Sequence, residues 1–85
     1  MYPPIVLDVR KLLCPLPVIR LQQTIQQHEN EDRIIILATD PGVLYDIPAW
    51  CRIHGHSILH TEQTKQEIRI EISVNKPLTT EPAKT

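Results

Sequence analysis

Apolar positions along the chain change their period several times, and each change marks an element. Ile5 to Val9 is short, β-branched and bounded by prolines on its N-terminal side, which suits a strand. From Pro15 to His28, Val18, Leu21 and Ile25 recur at helical spacing while Arg20, Gln22, Gln23, Gln26 and Gln27 are free to face solvent. A polar loop from Glu29 to Asp32 follows. Arg33 to Ala38 then carries isoleucines and a leucine in succession and reads as a strand buried on both faces. Asp40-Pro41-Gly42 reads as a turn able to cap a helix, after which Leu44, Ile47, Cys51 and His54 fall at steps of three or four. Gly55 supplies the stop. Pro48 interrupts this pattern, so the regular helix is expected to begin near Asp46, itself a good cap. Ser57 to Thr61 is a further strand. Glu67 to Val74 alternates cleanly, with Ile68, Ile70, Ile72 and Val74 on one side and Arg69, Glu71 and Ser73 on the other.

The predicted order is therefore β-α-β-α-β-β. Helices separated by strands and followed by a closing hairpin imply an α/β (α+β) two-layer sandwich, a mixed four-stranded sheet with both helices on one face. The chain has 85 residues, enough for one domain, which is expected over residues 1–75. Residues 76–85, with Pro77 and Pro82 among threonines, read as a flexible tail. Of the remaining prolines, Pro3 and Pro4 precede the first strand. Pro15 with Pro17, and Pro41 with Pro48, stand at the starts of helical patterns, where a missing N–H costs least.

Composition narrows the function. With 41% hydrophobic and 22% charged residues the chain is too apolar to be disordered. A net charge of -1 weighs against direct nucleic-acid binding, which draws its affinity from excess basic groups. The apolar run Ile34 to Ala38 falls far short of the roughly 20 residues of a membrane helix, and the N-terminal stretch lacks the features of a secretory signal. Two cysteines are too few for a disulfide framework, so a cytoplasmic domain with reduced thiols is expected.

The chemistry is concentrated in Leu13-Cys14-Pro15-Leu16-Pro17. A residue before proline is pushed out of helical geometry, so Cys14 belongs just ahead of the helix, near the positive end of its dipole. That position, with Arg10, Lys11 and Arg20 in reach along the chain, leads us to expect a thiol pKa below the reference of about 8.5. No cysteine lies at the spacing of a dithiol oxidoreductase, and nothing nearby resembles the constellation of a cysteine protease. These features leave two roles open for Cys14: an exposed nucleophile that carries a group, or a small hydrophobe under the helix.

The segment Leu7-Asp8-Val9-Arg10-Lys11-Leu12-Leu13-Cys14-Pro15-Leu16-Pro17-Val18 resembles the N-terminal signature of the TusA family of sulfur-carrier proteins, also called SirA-like. Asp40-Pro41, Asp46-Ile47-Pro48-Ala49-Trp50-Cys51 and Gly55-His56 are similar to that family's second helix and its exit. Two separated motifs in the same order make the resemblance specific, and it extends from about Val6 to Val74. It implies the two-layer fold of the C-terminal domain of translation initiation factor 3. It further implies that Cys14 accepts sulfane sulfur as a persulfide, with Asp8, Arg10, Lys11, Pro15, Pro17 and Arg20 as the supporting motif. Lys11 stands where the family usually has glycine and adds a cation beside the sulfur; Arg20 stands where lysine is common. The implied partners are a donor of cysteine desulfurase or rhodanese type and an acceptor with a reactive cysteine. The implied uses are tRNA thiolation, molybdenum-cofactor maturation or sulfur oxidation. No cofactor is expected, since such transfer needs an exposed sulfur and a docking surface and little else.

The remaining chemistry-bearing residues read mostly as structure. Cys51 lies on the apolar stripe of the second helix and is expected to be buried. His54, His56 and His60 lack a carboxylate or thiolate at ligand spacing, so no metal site is expected. His56, just after the Gly55 stop, is expected to bond local backbone or to line the surface near the first helix. Asp8 and Asp46 read as turn and cap residues that can also orient a partner. Trp50 reads as a core anchor with partner docking as its alternative. Two other functions compete with the carrier: a non-catalytic regulatory or RNA/protein-binding module, and a thiol redox protein using Cys14 and Cys51. Loss of function on Cys14→Ser separates the carrier from a binding module.

Overall fold

A computed structural model describes residues 4–28 and 32–75; the expected tail 76–85 and most of the Glu29–Asp32 loop lie outside the described residues. The elements are β1 (Ile5–Val9), α1 (Leu16–Gln27), β2 (Arg33–Ala38), α2 (Val43–His54), β3 (Ser57–Gln63) and β4 (Ile68–Ser73). This is the order the periodicity predicts. The sheet runs β1-β2-β4-β3. β1 pairs with β2 in parallel, from Ile5↔Ile34 to Val9↔Ala38, as a helical crossover through α1 requires. β4 is inserted antiparallel between β2 and β3, so the second crossover, through α2, steps over one strand position. The result is an α+β two-layer fold.

The register explains the core. Ile34↔Ile72, Ile36↔Ile70 and Ala38↔Ile68 stack the alternating side chains of β2 and β4 on the helix-covered face, and all of them are buried. Val9 from β1, Leu21 from α1, and Val43, Ile47 and Cys51 from α2 close the cluster. Fully burying each such branched side chain stabilises by roughly 1.5–3 kcal/mol. The expectation that β2 is buried on both faces holds only in part. Ile35, on the face without helices, is buried at 8%, while Leu37 is half exposed.

The start of α2 departs from expectation. The helix begins at Val43 with Gly42 as its cap residue, and Pro48 lies inside it. Its first turn is closed by Val43 N–H to Asp40 O (3.1 Å), Leu44 N–H to Pro41 O (3.0 Å) and Asp46 N–H to Gly42 O (3.0 Å). Those bonds form whatever Pro48 lacks further on, so its missing N–H costs one bond rather than a boundary. Asp46 is therefore a first-turn residue and not the cap. At the other end Gly55 takes φ 80, with His56 N–H on Cys51 O (2.8 Å) and Gly55 N–H on Arg52 O (3.4 Å). This is the Schellman arrangement that a left-handed glycine permits.

Candidate functional site

Two loops leave the carboxyl ends of the parallel strands side by side, the position where open α/β sheets gather their ligands. The first follows β1. Leu12 N–H bonds Val9 O at 3.2 Å, closing a turn whose third residue, Lys11, has φ 74. A turn of this kind favours glycine at that place. Lys11 N–H is held by Thr39 Oγ1 of the second loop at 2.8 Å.

Asp40 completes the junction. Its Oδ2 accepts the Cys14 amide at 2.9 Å and its Oδ1 accepts the Gly42 amide at 3.0 Å. One carboxylate thus fastens the cysteine loop to the start of α2, and the two amides hold its pKa below the ordinary carboxylate range. Cys14 precedes α1, with Pro15 as cap residue and Pro17 buried in the first turn. The Cys14–Pro15 peptide is cis. The sulfur also lies over α2, since a Cβ on Gly42 would stand 3.5 Å from Cys14 Sγ. Cys14 is exposed, and its thiol donates a hydrogen bond to Oδ2 of Asp46.

This contact reverses the expected electrostatics. The Cys14 thiol is pushed up to about 11, chiefly by its hydrogen bond to Asp46, then by desolvation and by the negative charges of Asp46 and Asp40. Carboxylates, not cations, dominate the sulfur's surroundings. Arg10 is turned to Asp8, at 2.9 and 2.8 Å, and to Glu67 at 3.4 Å. Asp8 also accepts the Arg10 amide at 3.1 Å, the turn role read from the sequence, and its carboxyl falls to about 2 under the arginine's influence. Lys11 is exposed and, with Asp8, Arg10 and Thr39, lines an open depression beside the turn. Arg20 is exposed on α1, where its carbonyl accepts the Thr24 hydroxyl at 2.8 Å.

The segments that carry Cys14 and Asp46 also expose apolar side chains. Leu13 and Leu16 flank Cys14 in the chain, Tyr45 precedes Asp46, and all three are exposed. Cys51 contrasts with Cys14: it is 1% exposed, and burial pushes its thiol up to about 11. Trp50 is half-buried against the core, with ring centroids 4.4 Å from His54 and 5.4 Å from His56. His56 Nδ1 accepts the Asn75 amide at 3.1 Å, a backbone bond to a residue 19 positions away rather than the local one expected. Trp50 and His56 thus brace the C-terminal end of α2, away from its start at Cys14. Among the described residues no group of His, Cys, Asp and Glu is placed to hold a metal ion, and no helix is long and apolar enough to cross a membrane.

Sequence reasoning found Cys14 and the turn at Asp40 that starts α2, but missed the bond of Asp40 to the Cys14 amide and the contact of Asp46 with the thiol. The available signal was an acid in the first turn of a helix that follows a strand parallel to the cysteine's own.

Comparison with known proteins agrees with the motif and the topology. A family model described as "Sulfurtransferase TusA" matches residues 5–74, the span from the first residue of β1 to the end of the core. The sulfur carrier protein TusA of Buchnera aphidicola subsp. Baizongia pistaciae is 39% identical over 54 residues, covering 64% of this chain and 68% of that relative. Putative sulfur carrier proteins of Neisseria meningitidis serogroups A and B are each 40% identical over 57 residues, covering 67% of this chain and 77% of theirs. With the family's match extending over all six elements that build the Cys14 loop and its support, this chain belongs to the TusA family.

Proposed function

We propose that this protein is a sulfur carrier that accepts sulfane sulfur as a persulfide on Cys14 and passes it to an acceptor protein. The observation that carries this reading is the contrast between the two thiols. Cys14 is exposed on a loop fastened by Asp40, whereas Cys51 is 1% exposed within the core. The relatives' names, sulfur carrier protein and putative sulfur carrier protein, support the same role.

Transfer at such a site needs little beyond the sulfur and a surface to dock against. Cys14 Sγ attacks the terminal sulfur of a donor persulfide; the new S–S bond forms as the donor's own breaks, and the donor leaves as a thiol. The exposed Leu13, Leu16 and Tyr45 give the partner an apolar footing beside the sulfur. A donor of cysteine desulfurase or rhodanese type and an acceptor with a reactive cysteine fit this chemistry. The cytoplasm is the compartment that keeps both thiols reduced. tRNA thiolation, molybdenum-cofactor maturation and sulfur oxidation are the uses such a carrier serves.

Intact mass after exposure to a sulfane-sulfur donor tests the reading. The wild type gains the mass of one sulfur atom and loses it on reduction, while Cys14→Ser gains none. Equal gain by a folded Cys14→Ser protein contradicts it.

A further inference from the structure

A thiol that stands against two carboxylates is seldom ionised at neutral pH, yet sulfur transfer needs its proton removed. We propose that Asp46 is the general base of this site, taking the proton from Cys14 Sγ as sulfur is loaded and returning it as sulfur is passed on. The inference rests on Cys14 as the sulfur-carrying residue and identifies what makes that residue react.

Geometry selects Asp46. Both oxygens of Asp40 are engaged by the amides of Cys14 and Gly42. The Asp46 backbone is fixed by its bond to Gly42 O at 3.0 Å, and its Oδ2 accepts the Cys14 thiol directly. Among the described residues, the charged groups bearing on the sulfur are Asp46 from α2 and Asp40 from the loop after β2. Together with desolvation they raise the thiol to about 11, which leaves at least a hundredfold less thiolate at neutral pH than the reference of about 8.5 would give. Prior ionisation is therefore a poor route. A thiol becomes strongly acidic as its sulfur bonds to an electrophile, and at that moment a hydrogen-bonded carboxylate is positioned to receive the proton.

The balance closes without any oxidant or reductant. In loading, Cys14 Sγ bonds to the terminal sulfur of the donor persulfide, and the donor's S–S bond breaks with its electron pair going to the departing sulfur. The proton passes from Sγ to Asp46 and on to the departing thiolate. In unloading, an acceptor thiol gives its proton to Asp46 and attacks the terminal sulfur. Asp46 then protonates Cys14 Sγ as it leaves, which matters because a thiolate of such high basicity leaves poorly.

The test uses the full chain with Cys51→Ala, so that Cys14 is the single thiol, and glutathione persulfide as donor. Thiolate absorbance gives the titration and mass spectrometry gives the loading rate from pH 6 to 9. Asp46→Asn is expected to lower the titration midpoint towards about 8.5 and yet slow loading at neutral pH by about a hundredfold. Its remaining rate should climb about tenfold per pH unit with the thiolate up to about pH 8 and then level off, whereas the parent's rate stays nearly flat. Asp46→Glu should recover most of the parent's rate, and Asp46→Ser replaces the asparagine variant if circular dichroism shows that variant unfolded. Loading by Asp46→Asn as fast as the parent, or an unchanged titration, overturns the proposal. A parent protein that does not load at all overturns instead the assignment of sulfur to Cys14.

Discussion

Lys11 holds a left-handed backbone conformation, φ 74, because the turn that closes from Leu12 N–H onto Val9 O requires it. A side chain at such a position costs about 1–2 kcal/mol, and glycine removes that cost while giving back part of it in unfolded-state entropy. Lys11→Gly is therefore expected to stabilise the protein by about 1 kcal/mol in urea denaturation, and Lys11→Ala to change little, since alanine keeps the strain. The family resemblance pointed to this residue, as the place where glycine usually stands. The thiol was legible too, because Pro15 and Pro17 fix Cys14 ahead of a helix from sequence alone. Its electrostatics were not. The groups that decide them, Asp40 and Asp46, lie 26 and 32 positions away along the chain. A local reading credits Arg10 instead, which the fold turns towards Asp8 and Glu67.

β4 follows from period-two alternation and β2 from an unbroken apolar run whose marked span, Arg33–Ala38, is that of the strand, whereas β3 runs to Gln63, two residues beyond its expected end. The start of α2 was less legible, because it is decided by carbonyls of Asp40, Pro41 and Gly42 that close the first turn rather than by the proline within. The two glycines at the ends of α2 carry different demands. Gly55 has φ 80 with nothing within 4 Å of an added Cβ, so Gly55→Ala should lose about 1 kcal/mol from backbone strain alone. Gly42 has φ -58, and an added Cβ meets its nearest atoms at an ordinary 3.5 Å. Gly42→Ala should then be neutral or stabilising by up to about 1 kcal/mol, since alanine narrows the unfolded ensemble. Urea midpoints of the two variants, measured side by side, check the contrast; equal losses would contradict it.

Across the whole molecule, a sheet covered by helices on one face leaves a small core in which a thiol stands among isoleucines. Cys51 and Cys14 both have folded-state pKa values raised to about 11. Above the unfolded value of about 8.5 the unfolded chain releases these protons while the folded chain keeps them, so stability falls with rising pH. Stability should be flat from neutrality to about pH 8.5 and decline towards about 11, where the folded thiols ionise. Cys51→Ala should show a shallower alkaline decline, at a cost of about 1 kcal/mol at neutral pH for the cavity it leaves. Denaturant melts at successive pH values measure both. The same contrast between a buried and an exposed thiol underlies the carrier assignment, and locating the sulfur tests it most directly. After loading from a sulfane-sulfur donor, alkylation and peptide mapping of the wild-type protein should place the added sulfur on the peptide containing Cys14, with Cys51 unmodified. Sulfur found on Cys51, or loading retained in a folded Cys14→Ala protein, would contradict the account.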